Sequence, residues 1–193
     1  MRISSPENAV DARPKNFLTE AEIENFLKAA RRGRHRIRNF AMLLLTFRHG
    51  LRVSELINIR TADVDLDTGR LFVRRLKGSL STSQPLEGDE IRALRAWIRQ
   101  RTNAPYCNSP LLFLSERGPM TRQAFNYICA EVGRRAGLRI KVHPHMLRHT
   151  CGFALANKGC DTRLIQDYLG HRNIRHTQLY TRTAAVRFEG LWQ

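Results

Sequence analysis

The chain has 193 residues, with 33 Lys and Arg against 17 Asp and Glu and a formal net charge of +16. Its length and 42% apolar content suffice for one substantial core and exclude intrinsic disorder. No run of about 18 apolar residues is present, and Met1 is followed by polar residues and Pro6, so neither a membrane-spanning helix nor a secretory signal is expected, and the expected compartment is the cytoplasm.

Residues 1–17 read as a polar lead-in. Thr19 and Glu22 then form a capping box, and Ile23, Phe26, Leu27 and Ala30 supply the apolar stripe of a first helix. It breaks at Gly33, inside the basic run Arg31-Arg32-Gly33-Arg34-His35-Arg36. That run fits a solvated helix end, with cations at its negative pole, and equally a patch that contacts phosphates. Ile37 to Arg48 reads as a strongly apolar helix, ended by His49-Gly50, with a short helix around Ser54 to Asn58. Val64 and Leu66 alternate with aspartates, Thr68-Gly69 supplies a turn, and Leu71 to Leu76 is the expected return strand. A third strand is expected near Ser83 to Leu86. Glu87 to Arg101 is helical, with Ile91, Leu94, Trp97 and Ile98 on one face. Asn103 to Pro110 is a loop and Leu111 to Leu114 a short buried segment. Thr121 caps a helix to about Ala136; Pro144 opens the helix His145 to Asn157. Asp161 caps Thr162 to Leu169, Gly170 stops it, and a last helix spans about His176 to Val186. Helices around one small antiparallel sheet make an α+β, mainly helical domain.

Of the basic residues 28 are Arg and 5 are Lys, and the sequence pI is near 11.0. GC-rich coding produces such a bias, and so does phosphate recognition, because guanidinium grips phosphate oxygens in pairs. Nucleic acid is the partner this composition favours, ahead of an anionic membrane surface or a ribosomal role. Cys107, Cys129, Cys151 and Cys160 contain no C-x-x-C pair, which argues against a zinc site and for free, mostly buried thiols.

The last third concentrates functional groups. In His145-Met146-Leu147-Arg148-His149, positions 145, 148 and 149 share a helix face near its N-terminus, where amides and dipole favour an anion. Further on come Leu169-Gly170-His171 and Tyr180, and far upstream stands Gly50-Leu51-Arg52-Val53-Ser54-Glu55-Leu56. Lys77-Gly78 lies in the expected hairpin. Taken together, in order and spacing, these boxes resemble the tyrosine recombinases, the lambda-integrase family, over nearly the whole chain from Leu18 to Thr181. The short chain looks most like the bacterial fimbrial phase-switch invertases.

The resemblance implies the fold of that family's catalytic domain, with a small three-stranded antiparallel sheet, over residues 18–185. It also implies strand cleavage and rejoining through a 3′-phosphotyrosyl link and a Holliday junction. Arg52 and Arg148 would clamp the scissile phosphate and stabilise its developing charge. Tyr180 would attack phosphorus, His145 would accept its proton, Lys77 would protonate the leaving 5′ oxygen, and His171 would hydrogen-bond a phosphate oxygen. Glu55 and His149 would support this set. The arginines neutralise the phosphate and the protein–DNA ester keeps the bond energy, so neither metal nor ATP is expected. Arg31, Arg32, Arg34, Arg36, Arg122, Arg134, Arg135 and Arg139 are further candidates for DNA phosphates.

Each residue has a plainer reading beside this one. Arg52 fits a surface residue after a helix end, Lys77 a hairpin charge, His171 a helix stop and Tyr180 a half-buried amphipathic residue. The second basic residue usual after the lysine is missing, since residues 79–84 are uncharged.

The expected partners are double-stranded DNA with inverted-repeat sites, host DNA-bending proteins, and further copies of the chain. It would be a monomer when free and a homotetramer on synapsed DNA, with the tail 186–193 docking on a neighbouring subunit. The lead-in is too short for the N-terminal clamp domain common in the family, which fits a naturally minimal enzyme. The expected role is inversion of a promoter segment for fimbrial phase variation. The competing roles are an integrase or excisionase of a mobile element, a relaxing topoisomerase, and a catalytically silent DNA-binding regulator.

Overall fold

Thr19 opens helix α1 (Glu20–Ala30): its hydroxyl accepts from the Glu22 amide while the Glu22 carboxylate accepts from the Thr19 amide at 2.8 Å. The structure, a computed structural model, describes residues 15–75, 79–184, 186 and 189. After Gly33, at φ +90°, α2 (Arg36–Arg48) runs through the centre with Met42, Leu43, Leu44 and Leu45 buried. The short α3 (Val53–Ile57) follows.

The chain then forms an antiparallel sheet of order β1-β2-β3, from Val64–Asp65, Arg70–Val73 and Thr82–Pro85. Val64 faces Leu71, and Leu71 faces Gln84. The return strand is shorter than expected. It leaves the ladder after Val73, and the Arg75 amide bonds the Ser81 hydroxyl at 3.1 Å instead of a strand partner. Helix α4 (Gly88–Arg101) buries Leu94 and Trp97 on its inner face. The segment expected at Leu111 to Leu114 is buried from Leu112 on, and it enters a second, unforeseen ribbon of β4 (Leu114–Ser115) and β5 (Gly118–Pro119). Thr121 caps α5 (Arg122–Arg135) through the Ala124 amide.

Three helices complete the fold: α6 (Pro144–Asn157), α7 (Thr162–Leu169) and α8 (Arg175–Arg182). Gly170 ends α7 in the left-handed conformation, at φ 67°, where a side chain would be strained. Helix α8 stops short of the expected Val186, and the Thr183 hydroxyl turns back to the Leu179 carbonyl at 2.8 Å.

Helix α6 joins two cores. Met146 and Leu147 belong to the larger one, with Phe26, Leu56, Leu71, Leu94, Phe113 and Phe125. Cys151 and Ala156 belong to a smaller one, with Ile165, Leu169 and Tyr180. The thiols divide, Cys129 and Cys151 being buried and Cys107 and Cys160 half-buried. This mainly helical architecture with a small antiparallel sheet is the expected fold class. Among the described residues, no helix is long and apolar enough to cross a membrane.

Asp161 caps α7 by accepting from the Arg163 and Leu164 amides at 2.8 and 3.0 Å. Asp161→Ala is therefore expected to destabilise the chain by about 1 kcal/mol, and Asp161→Asn by much less. The urea midpoint measures both.

Candidate active site

A helix leaves its last carbonyls without partners, and the ends of α2 and α7 meet in this fold. Gly50 makes the approach possible: a Cβ there would lie 2.2 Å from the Leu169 Cδ2. The orphan carbonyls of both ends accept from side chains, chiefly arginines. At the end of α2, His49 O accepts from Arg75 Nη2 at 3.3 Å and Gly50 O from Arg148 Nη1. At the end of α7 the pattern runs residue by residue. Tyr168 O accepts from Arg75 Nη2, Leu169 O from Arg148 Nη2 at 2.8 Å, and Gly170 O from Arg52 Nη2 at 3.2 Å. Both negative poles thus hold guanidinium groups.

Among the described residues, one carboxylate pairs with these cations. Glu55 Oε1 accepts from Arg52 Nη1 at 2.6 Å, and Oε2 from Arg75 Nη1 at 2.7 Å and the Arg52 amide at 2.8 Å. Burial opposes its ionisation, but Arg75 and Arg52 outweigh burial and hold the carboxyl below its usual range. Burial, then the neighbouring Arg52 and Arg75, push Arg148 down to about 10, so it stays charged near neutral pH. Three guanidinium groups against one carboxylate leave a positive surplus suited to an anion.

His171, directly after the Arg52-bound Gly170, is half-buried, with Nδ1 2.9 Å from the Thr177 hydroxyl. Burial, then Arg148 and Arg52, lower its pKa to about 3, so its ring is neutral. It stacks near Tyr180, with ring centroids 6.1 Å apart and 26° between planes. Tyr180, on α8, is 1% exposed. Its ring packs so closely on α6 that a Cβ on Gly152 would fall 2.5 Å from it. Burial pushes its hydroxyl up to about 12, against the pull of Arg148.

The Tyr180 hydroxyl meets His149 Nδ1 at 2.9 Å. His149, expected as a support, thus touches the expected nucleophile directly. His145, one turn earlier on α6, is exposed and lies edge-on to His143 at 6.4 Å. Burial, then His143 and Arg148, lower its pKa. Arg52, Arg148, His171 and Tyr180 therefore gather around the α7 end, with Glu55 behind Arg52. Lys77 lies outside the described residues. Among those residues, no group of three His, Cys, Asp or Glu side chains is placed to hold a metal.

The arginines singled out for DNA lie on the surface, several with protein partners. Arg31 covers the Phe40 ring at 4.2 Å, Arg34 pairs with Glu116 at 2.6 Å, and Arg134 with Glu131 at 2.9 Å. Arg135 reaches the Arg32 carbonyl at 2.8 Å. Arg32, Arg36, Arg122 and Arg139 are exposed.

Sequence reading missed Arg75. Its signal was present, because Leu71, Val73 and Arg75 share one parity and the first two face the core. An arginine in the inward register of a strand asks for a buried partner. It also missed His49, which is buried with Nδ1 2.7 Å from Gln84, tying the sheet to the end of α2, and with Nε2 3.0 Å from Glu90 of α4.

Comparison with known proteins matches residues 16–187 to the model described as the phage integrase family. The chain is 51% identical over 187 residues to the type 1 fimbriae regulatory protein FimB of Escherichia coli strain K12, covering 96% of this chain and 94% of that protein. It is 45% identical over 181 residues to FimE of the same strain, covering 93% and 91%. The crystal structure of the XerH site-specific recombinase bound to palindromic difH substrate, a post-cleavage complex, matches with TM-score 0.79 and 26% identity over 94% of this chain. The chain spans 54% of that longer protein.

The lowered His171 pKa has a pH signature. Between its ordinary value of 6.5 and about 3, the unfolded chain binds a proton that the folded chain refuses, so stability falls as the pH falls through that window. His171→Gln is expected to lose less stability than wild type between about pH 7 and pH 4, measured by urea unfolding at each pH.

Proposed function

The chain belongs to the phage integrase family, the tyrosine recombinases, and from that premise we propose how its residues carry out site-specific recombination and on what DNA. One observation carries the reading: Arg52, Arg148, His171 and Tyr180, from three separate stretches of chain, gather around the turn that ends α7. A phosphodiester repels nucleophiles through its anionic oxygens, and a pre-placed cationic pocket removes that obstacle.

Arg52 and Arg148 bind the non-bridging oxygens, and His171 lends a hydrogen bond. The Tyr180 oxygen attacks phosphorus, a 3′-phosphotyrosyl bond forms, and the bond to the 5′ oxygen breaks. Lys77 gives that oxygen its proton, and His145 receives the proton of the tyrosine. In the packing described above Tyr180 is stored away from substrate, since a hydroxyl on a 1% exposed residue cannot meet a DNA backbone. Reaction therefore begins with its release from His149 and Gly152. Religation reverses the steps with a 5′ hydroxyl from the partner duplex, through a Holliday junction.

The likeness to FimB and FimE over nearly the whole of both chains supports inversion of a promoter segment between inverted repeats, switching a fimbrial operon. The likeness to the XerH site-specific recombinase bound to its palindromic difH substrate supports duplex DNA with inverted-repeat sites as the partner. The assembly on synapsed sites is a homotetramer, with host DNA-bending proteins shaping the loop, and the tail 186–193 docks on the neighbouring subunit.

A nicked suicide substrate carrying the repeat is expected to trap an SDS-resistant covalent complex with wild type. Tyr180→Phe is expected to bind the same DNA and trap none. Absence of a wild-type adduct would leave the DNA-binding regulator as the better reading. Deleting residues 186–193 is expected to abolish synapsis and inversion while the monomer keeps its thermal midpoint; unchanged inversion would remove the tail from the assembly.

A further inference from the structure

Arg75 belongs to none of the boxes that carry the chemistry, yet it is the most enclosed charge in the site. Its side chain is 0% exposed, against 31% for Arg52. It can therefore act on a DNA phosphate only through its neighbours. Those neighbours are the anchors of Arg52.

Arg52 has two side-chain anchors, Glu55 Oε1 and the Gly170 carbonyl. Arg75 abuts both. Its Nη1 takes Glu55 Oε2 at 2.7 Å. Its stem fills the space beside Gly170, where a Cβ would lie 3.0 Å from Arg75 Cδ and 3.1 Å from its Cγ and Nε. Its remaining amino group ties Tyr168 O to His49 O, fixing the end of α7 against the end of α2.

The consequence follows from carboxylate geometry. A carboxylate facing a single guanidinium tends to accept from it with both oxygens, fork to fork. Such a bidentate pair would turn Arg52 onto Glu55 and use up donors that the phosphate needs. With Arg75 holding Oε2, the Arg52 side chain gets one Glu55 oxygen, at 2.6 Å, and its second amino group goes to Gly170 O at 3.2 Å. Its other N–H groups stay available. We infer that Arg75 is a positioning residue for strand cleavage: by dividing Glu55 with Arg52 and seating the α7 end, it holds Arg52 in the orientation that grips the scissile phosphate.

The inference rests on the reading of Arg52 and Tyr180 given above, and the experiment separates the two. Wild type, Arg75→Lys and Arg75→Met are compared in single-turnover cleavage of the suicide substrate at saturating DNA. The substrate carries either an ordinary scissile phosphodiester or a methylphosphonate, in which a methyl replaces one non-bridging oxygen and removes the charge. On the phosphodiester, Arg75→Met is expected to cut about 100-fold more slowly than wild type, with DNA affinity within about twofold. Arg75→Lys, which keeps a cation near Glu55, is expected to fall between them.

On the methylphosphonate there is no charge for Arg52 to neutralise, so wild type and both variants are expected to cut at similar rates. An equal defect on both substrates would overturn the inference and leave Arg75 a plain structural residue. Rescue by a sulfur at the 5′ bridging position instead would also overturn it, because the defect would then lie in protonating the leaving group. If Arg75→Met does not fold, the same comparison is read from Arg75→Lys. If wild type forms no adduct on the ordinary substrate, the reading of the site fails, whatever the Arg75 variants do.

Discussion

Two helix ends that face each other govern this molecule. The carbonyls at the end of α2 and in the last turn of α7 are acceptors left over by helix geometry, and burying them unpaired would cost about 1–3 kcal/mol each. Arginine answers this need well, since one planar fork reaches two acceptors. Arg148 joins Gly50 O to Leu169 O, and Arg75 joins His49 O to Tyr168 O. The guanidinium groups gathered at the α7 end are thus also the groups that hold the two helix ends together. The arrangement of the candidate site and the integrity of the fold depend on the same hydrogen bonds.

Gathering cations in a buried place is normally unfavourable, because like charges repel and each loses its hydration. The fold offsets this with directed dipoles and a single carboxylate. Glu55 alone could neutralise one guanidinium, and the carbonyls at the two helix poles stabilise the rest without cancelling their charge. An anion arriving from solvent completes the balance. The arginine side of the pocket is therefore pre-organised for an anion, whereas the Tyr180 hydroxyl is still buried against His149.

The remaining groups follow from where α7 ends. Gly170 turns the chain sharply, so His171 enters the pocket beside the arginines, and α8 lays Tyr180 across α6 at Gly152. Gly152 and Gly170 serve the same purpose by different means. One clears room for a ring and the other for an arginine stem, and the second also supplies the left-handed backbone. The neutral His171 and the protonated Tyr180 both reflect burial beside cations, which disfavours a charged imidazole and only partly eases loss of the phenolic proton.

Much of this was legible in the residues alone. Helix starts at Thr19, Thr121, Pro144 and Asp161 rest on local chemistry, and each falls where spacing placed it. Glu55 behind Arg52 was also readable, three positions further on, in the first turn of the short helix that Arg52 precedes. Element ends were less legible: β2 and α8 stop early, where Arg75 and Thr183 find partners other than the regular ladder or helix.

Sequence by itself thus determined the helical elements, the hairpin and the boxes, because each depends on neighbours a few positions apart, and the order and spacing of the boxes signal the family. Tertiary structure alone decided that Tyr180 rests on His149 and that Arg75 shares Glu55. It also decided that arginines bridge the two helix ends, through contacts 93 and 98 residues apart in the chain. Periodicity tells which face of an element is buried. It cannot tell which distant polar groups must meet there, since that pairing exists only once the helix ends have been brought together.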